Sequence, residues 1–245
     1  MFALAGIPAI EPGADLGALV GDAIEAATGG LCAGDVVVVC QKIVSKAEGR
    51  IVRLDDVEPS ARARDFASSF GKQAQMIELA LREATEVLRM QGGHLITASG
   101  KGVVAANSGI DRSNQTRPGY VTLLPLDADR SASLLREALA ARFGAAPAVI
   151  VTDTFGRPWR LGQIDFAIGA AGLRVLDDHA GRSDWSGREL EHTVIAVADQ
   201  LAAAAGLLMG KADGLPAVLV RGYSYAAGSE DAGDLVRPRD QDLFR

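Results

Sequence analysis

Several polar clusters in this sequence carry residue types that can do chemistry. Lys42, Lys46 and Arg50 follow closely on the apolar run 35–40, and Arg157, Arg160 and Arg221 also lie just beyond apolar runs. Such charges can converge on phosphate or carboxylate oxygens, or form a solvated basic rim. Asp111 sits in the polar stretch Ser108-Gly109-Ile110-Asp111-Arg112-Ser113-Asn114, and Asp153-Thr154 ends another apolar run. Two carboxylates and a hydroxyl on separate segments are hard oxygen donors of the kind Mg2+ takes. Aspartates in loops also serve turns and caps, so composition leaves both readings open.

Common alternatives are missing. There is no Gly-x-x-x-x-Gly-Lys-Ser/Thr phosphate loop, no Gly-x-Gly-x-x-Gly at a strand-to-helix turn, and no Gly-x-Ser-x-Gly elbow. His94, His179 and His192 are scattered, which points to structural or exposed roles rather than general base chemistry. Cys32 and Cys40 lack metal-ligand spacing and read as two buried thiols of a reducing compartment.

The elements that must position these groups follow from periodicity. Asp15 is placed to N-cap a helix carrying Leu16, Leu19, Val20 and Ile24 on one face, stopped at Gly29-Gly30. Asp35 to Cys40 reads as a continuously apolar strand, expected to be buried on both faces, and it delivers Gln41 to Lys46 at its end. Residues 58–91 read as largely helical, with Ile77, Leu81, Ala84 and Leu88 on one face and Gly92-Gly93 as the stop. Short strands at 94–98, 102–106 and 120–124, separated by Gly, Asn and Pro, suggest antiparallel pairing. A helix over 131–143, a strand over 148–151, a polar segment over 152–157, a helix over 189–209 and a last strand over 216–220 complete the reading, with a polar, turn-rich tail from Gly222. With no repeat and no Ser/Gly linker, the expected class is α+β, with two different interleaved subdomains, mixed or antiparallel sheets and packed helices. All 245 residues are expected to form one domain without a flexible hinge.

Hydrophobic residues at 48% and charged residues at 23% belong to an ordinary globular chain, and aromatics at 5% leave the core to Ala, Val, Leu and Ile. A net charge of -6 argues against a nucleic-acid partner, whose binding needs a broad basic surface. No apolar run approaches the ~20 residues of a membrane-spanning helix, and the start Met1-Phe2-Ala3-Leu4-Ala5-Gly6 lacks the basic flank of a signal or transit peptide. The expectation is a cytoplasmic protein with neither nucleic-acid nor membrane partner.

The motif residues, taken in order, resemble one family. Lys42-Ile43-Val44-Ser45-Lys46-Ala47-Glu48-Gly49-Arg50 and Gly109-Ile110-Asp111-Arg112-Ser113-Asn114 look like motifs of the coenzyme F420:L-glutamate ligases. So do Thr152-Asp153-Thr154-Phe155-Gly156-Arg157-Pro158-Trp159-Arg160, Gly162-Gln163-Ile164-Asp165 and Ala167-Ile168-Gly169-Ala170-Ala171-Gly172. The resemblance runs from Gly6-Ile7-Pro8 to about Val220.

That resemblance implies a GTP-dependent ligase of coenzyme F420 biosynthesis that joins a carboxylate of the precursor F420-0 to the amine of L-glutamate. It implies Mg2+ or Mn2+, with K+ as a further cation, and an intertwined homodimer. The nucleotide site carries over to Ile7, Pro8, Ala9, Ile10, Gln41, Lys46 and Asn114, with the loop residues Gly210, Lys211, Asp213 and Gly214. Metal ligands carry over to Asp111, Asp153 and Thr154, and the residues expected to act in catalysis are Asp153, Asp111 and Lys46. Some relatives have Glu or Gln near the position of Lys211, so the resemblance is weakest there. A protonated lysine cannot ligate a metal and is expected instead to reach a phosphate oxygen, the alternative being a second metal bound more weakly through other oxygens. Some bacterial relatives carry a fused flavin-binding reductase domain, and none is expected within these 245 residues. Alternatives within view are a ligase of another amino acid or acceptor and a catalytically silent nucleotide-binding protein.

Overall fold

The computed structural model describes residues 1–115 and 117–243. At its centre is a five-stranded sheet in the order β1 (Phe2–Ala3), β12 (Ala217–Val220), β2 (Val36–Cys40), β8 (Ala148–Arg157) and β9 (Arg160–Ala171). Strands β2 and β8 run parallel and the other neighbours are antiparallel. The Val36 to Val39 run has no exposed surface because both faces of the sheet are covered. Val37 and Val39 pack with Val149 and Val151 beneath α1 (Leu16–Thr28) and α5 (Ala128–Phe143). Val36 and Val38 turn to the opposite face, against Leu201, Ala202 and Ala205 of α6 (Val197–Met209). Burial of each such side chain is worth about 1.5–3 kcal/mol, which makes this strand the anchor of whatever follows it.

Asp15 caps α1 as expected, its Oδ1 accepting from the Ala18 N–H at 3.0 Å, and Gly29 closes the helix in the left-handed region. Directly after β2 the chain turns into the short helix α2 (Gln41–Ala47), which packs Ile43 and Val44 into the core and keeps Lys42 and Lys46 beside the strand end. The small antiparallel pair β3 (Ile51–Arg53) and β7 (Tyr120–Thr122) continues from it, and Asp111 bridges to Thr122 beside that pair.

A separate layer holds α3 (Ala61–Phe70), α4 (Ala74–Glu83) and the antiparallel sheet β4 (Ala84–Gln91), β5 (His94–Ser99) and β6 (Val103–Ala106). Its core is Phe66, Ile77, Ala80 and Leu95. The α+β class and the antiparallel pairing of the middle strands agree with the sequence reading.

Three expectations are corrected. Helix does not extend over 58–91: it breaks at Gly71, in the left-handed region, and ends at Glu83, and residues 84–91 are strand. Register shifts between Ala84 and Glu86 and between Val87 and Arg89 interrupt the two-residue alternation, so a bulged strand imitates helical spacing. Gly92-Gly93 is the tight turn of the β4–β5 hairpin rather than a helix stop, both glycines having positive φ. Likewise the last helix starts at Val197, because Val194–Ala196 is strand β11, paired with β10 (Leu176–Asp178). The segment 152–157 is no loop but the outer half of β8, and its partner β9 was not anticipated as a strand.

The tail from Gly222 folds back on the sheet. Asp129 accepts from the N–H groups of Ala170 and Ala232 at 2.8 Å each and from Lys101 Nζ, tying tail, helix and strand together. The last two residues of the tail lie outside the described residues.

Candidate active site

The ends of β2 and β8, the helix α2 and three loops enclose one cavity of about 340 Å3. Ile7 to Ile10 form one edge and Met209 to Pro216, without Asp213, form another. Gln41, Lys42 and Lys46 come from α2, Asp111 and Asn114 from the loop before β7, and Thr152 to Thr154 from β8. Of the nucleotide, metal and catalytic residues that the family resemblance implies, all but Asp213 line this cavity. A Cβ on Gly210 would sit 2.2 Å from the Asp213 carboxylate, so Asp213 packs against the Gly210 backbone and holds the turn that carries Lys211. Gly210 itself has φ of 56°, which explains why the position needs glycine.

The strand end is shaped by a bulge. Register in the β8–β9 pair slips between Val151 and Thr152, where the chain leaves the buried core for the cavity. Thr152 then donates to the Phe166 carbonyl at 2.8 Å, which fixes the turned-out backbone. Beyond the slip Thr154 stands opposite Asp165, and its hydroxyl donates to Asp165 Oδ1. The Lys211 ammonium in turn donates to the Thr154 hydroxyl. Lys211 thus lines the cavity, and its hydrogen-bond partner in the structure is Thr154.

Asp165 lines the cavity and the sequence assigned it no role. Only the register of β9 places it opposite Thr154. Its carboxylate is seated by Gly206 of α6, where a Cβ would approach Asp165 Oδ2 to 2.2 Å. Lys42 also belongs to the cavity, with Nζ 2.7 Å from Asp111 Oδ2 and 2.6 Å from Ser113 Oγ.

The two carboxylates behave oppositely. Burial pushes Asp111 up, but hydrogen bonds from Lys42 and Ser113 outweigh it and hold the carboxyl below the usual range. Asp153 is pushed up to about 7 by burial first and then by the Asp111 charge, against the Thr154 N–H and the Lys211 and Lys42 charges. Lys46 is buried and its Nζ donates to the Asn114 carbonyl at 2.7 Å; burial and the Lys42 charge push its ammonium below the ordinary lysine range. Asn114 adopts a φ of 53°, a conformation asparagine tolerates better than most residues.

Gln41 is 1% exposed, and Ser45 Oγ donates to its Oε1 at 2.7 Å. Among the described residues its Nε2 has no hydrogen-bond partner. A buried amide donor at the edge of a cavity is a ready partner for a ligand acceptor.

Among the described residues no three His, Cys, Asp or Glu side chains gather tightly enough to hold a metal by themselves. The donor set here is two carboxylates and a hydroxyl. It fits a hard divalent cation that completes its shell with water and substrate oxygens, since the like charge of Asp111 that raises Asp153 is what such a cation relieves.

The remaining expected cations do not converge on the cavity. Arg50 pairs with Glu83 and Arg221 with Asp35, both structural. Arg157 and Arg160 belong to the outer β8–β9 hairpin, where the Arg157 guanidinium donates to the Leu161 carbonyl. The thiols are not both buried: Cys32 is exposed, and Cys40 is partly buried at the cavity wall, where burial pushes its thiol up. No histidine lines the cavity.

Comparison with known proteins bears on this geometry. The sequence profile of the family F420-0:Gamma-glutamyl ligase matches residues 6–222. A protein named coenzyme F420:L-glutamate ligase in Methanothermobacter thermautotrophicus is 42% identical over 248 residues, covering 100% of this chain and 98% of that protein. Proteins of the same name are 43% identical in Methanopyrus kandleri, over 96% of this chain and 93% of that one, and 42% identical in Archaeoglobus fulgidus, over 100% and 96%.

Proposed function

The chain belongs to the F420-0:gamma-glutamyl ligase family, and from that premise we propose that it joins a carboxylate of F420-0 to L-glutamate with consumption of GTP. The observation that carries this reading is the meeting, around one cavity, of three lysines (Lys42, Lys46 and Lys211), two carboxylates of opposed protonation tendency and a buried amide donor without a partner among the described residues. That combination suits a polyphosphate with its counterion better than it suits a neutral ligand.

In the proposed reaction the precursor carboxylate attacks the γ-phosphate of GTP, giving an acyl phosphate and GDP. The amine of glutamate then displaces phosphate to form the amide. A divalent cation held by Asp111, Asp153 and Thr154 would neutralise charge on the transferring phosphoryl group. Lys46 turns from the Asn114 carbonyl to a phosphate oxygen, a point charge that needs no change of backbone. Lys42 keeps Asp111 ionised and oriented. Lys211, on its glycine-bounded loop, supplies a tethered positive charge on the far side of Thr154. Ile7 to Ile10 and the 209–216 loop form two edges of the cavity.

Incubation of the purified protein with F420-0, GTP, Mg2+ or Mn2+ and glutamate, followed by product mass measurement, tests the proposal. Mass increments of glutamate with release of GDP are expected; GTP hydrolysis without ligation, or no turnover, overturns it. A homodimer is part of the same reading, and light scattering at micromolar concentration should give twice the 25.5 kDa chain mass.

A further inference from the structure

We propose that a second pocket, divided from the first by Asn114, binds an anionic group of the acceptor substrate through Arg112 and Arg117. This deepens the ligase reading and rests on it. The pocket measures about 440 Å3, and Leu54, Arg112, Asn114, Gln115, Arg117 and Tyr120 line it with the Pro118-Gly119 turn. Asn114 lines both cavities, so the loop 111–115 is a shared wall.

The wall is two-sided because its residues alternate. Asp111 and Ser113 face α2, where both meet Lys42, and the Asn114 carbonyl meets Lys46. Arg112, between them, lines the opposite pocket. Gln115 pins the loop from behind, its Nε2 donating to Thr122 Oγ1 at 2.7 Å. The anchored face therefore serves the nucleotide side and leaves the guanidinium to the other.

Arg112 and Arg117 differ from the arginines that hold this fold together. Arg50, Arg142, Arg174 and Arg221 each grip a carboxylate. Among the described residues neither Arg112 nor Arg117 has an ion-pair partner, in a chain whose net charge is -6. Two exposed guanidinium forks lining one pocket, without an internal counterion, match the geometry of a carboxylate or phosphate ester. Tyr120, half-buried at the start of β7, lines the same pocket.

The chemistry of the proposed reaction explains why such a pocket should adjoin the first. The reacting carboxylate must reach the γ-phosphate, so it cannot also be held by these arginines. What they hold must be a second anionic group of the same acceptor, remote from the reacting one. Binding energy from a remote group fixes the reacting end in line. Because Asn114 lines both cavities, an extended acceptor crossing over that residue would present its reacting carboxylate on one side and its second anionic group on the other.

The test is steady-state kinetics of the full chain with F420-0, GTP and glutamate, for the wild type, Arg112→Gln, Arg117→Gln and the double variant. Each single change is expected to raise the acceptor KM about tenfold, the double on the order of 100-fold, with the GTP KM within about twofold of wild type. Arg117→Lys, which keeps charge but not the fork, should fall between wild type and Gln. If the wild type makes no ligated product, the ligase reading fails and this inference with it. If the wild type ligates and the double variant leaves the acceptor KM unmoved, the inference alone is wrong. That holds equally where kcat falls without a KM change, a structural effect, or where only the glutamate or GTP KM rises, which would assign the pocket to that substrate.

Discussion

The floor and the wall of the main cavity are built in different ways. The floor is the end of β2 and β8, continuous with a core in which Val36 to Val39 and Ala148 to Val151 have no exposed surface. The groups it presents to the cavity, Thr152 and Asp153 on β8 and Gln41 at the start of α2, inherit their positions from the sheet and its immediate continuation. The wall is the loop 111–115, held by hydrogen bonds to Lys42, Lys46 and Thr122 rather than by apolar packing. One of those partners, Lys46, is the lysine that we propose turns to a phosphate oxygen. A rigid floor can preorganise charge, whereas a wall anchored by exchangeable hydrogen bonds can yield to a ligand.

The largest expected effect breaks the floor. Asp153→Asn keeps the shape but cannot balance the charge of a bound cation, so ligation should fall on the order of 100-fold or more while the melting temperature stays near wild type. Near-normal turnover at ordinary metal concentration would remove Asp153 from the reaction.

Next comes the joint between floor and wall. Lys46→Ala removes both the bond to Asn114 and the proposed phosphate contact, and should raise the GTP KM about tenfold or more, measured at saturating acceptor. An unchanged GTP KM would make Lys46 a support for the loop alone.

A smaller effect is expected from the wall by itself. Gln115→Ala loses the 2.7 Å bond to Thr122 and should raise substrate KM values about fivefold, without loss of global stability in a thermal melt. A melting temperature that drops with it would mean that the loop belongs to the rigid part of the fold.

The smallest effect lies outside both. Glu78 is held at about 2, first by the Ser60 hydroxyl and then by its backbone N–H, with Arg82 adding to the shift against burial. Because the folded value is below the ordinary one, its contribution is complete above about pH 4.5 and fades as pH falls toward 2. Glu78→Gln should lower stability by about 1 kcal/mol at pH 7, a shift of about 3 °C, with the gap to wild type closing at low pH. A gap that persists near pH 2 would trace the loss to packing instead.

Much of this was legible beforehand, for physical reasons that differ by element. A run of four valines flanked by polar residues can only be a strand covered on both sides, and Asp15 ahead of an apolar stripe can only serve as a cap at that spacing. The outer β8–β9 hairpin was not legible, because Thr152 to Arg157 and Arg160 to Asp165 carry polar and glycine residues that no single-strand pattern distinguishes from loop. Strand β4 was misread because its two bulges break the alternation by which strands are recognised.

By itself the sequence determined the buried strands, the absence of the common nucleotide cradles, and the types of groups that end at the strand tips. Tertiary structure alone decided which of those groups meet. Lys42 reaches Ser113 across 71 positions, and Lys211 reaches Thr154 across 57. Asp165 joins the site only through the register of a hairpin, and Arg50 and Arg221 leave it only because carboxylates elsewhere claim them. Periodicity records which side of one segment is buried. Long-range register and the competition among charged partners depend on the whole packed chain, and no local pattern carries them.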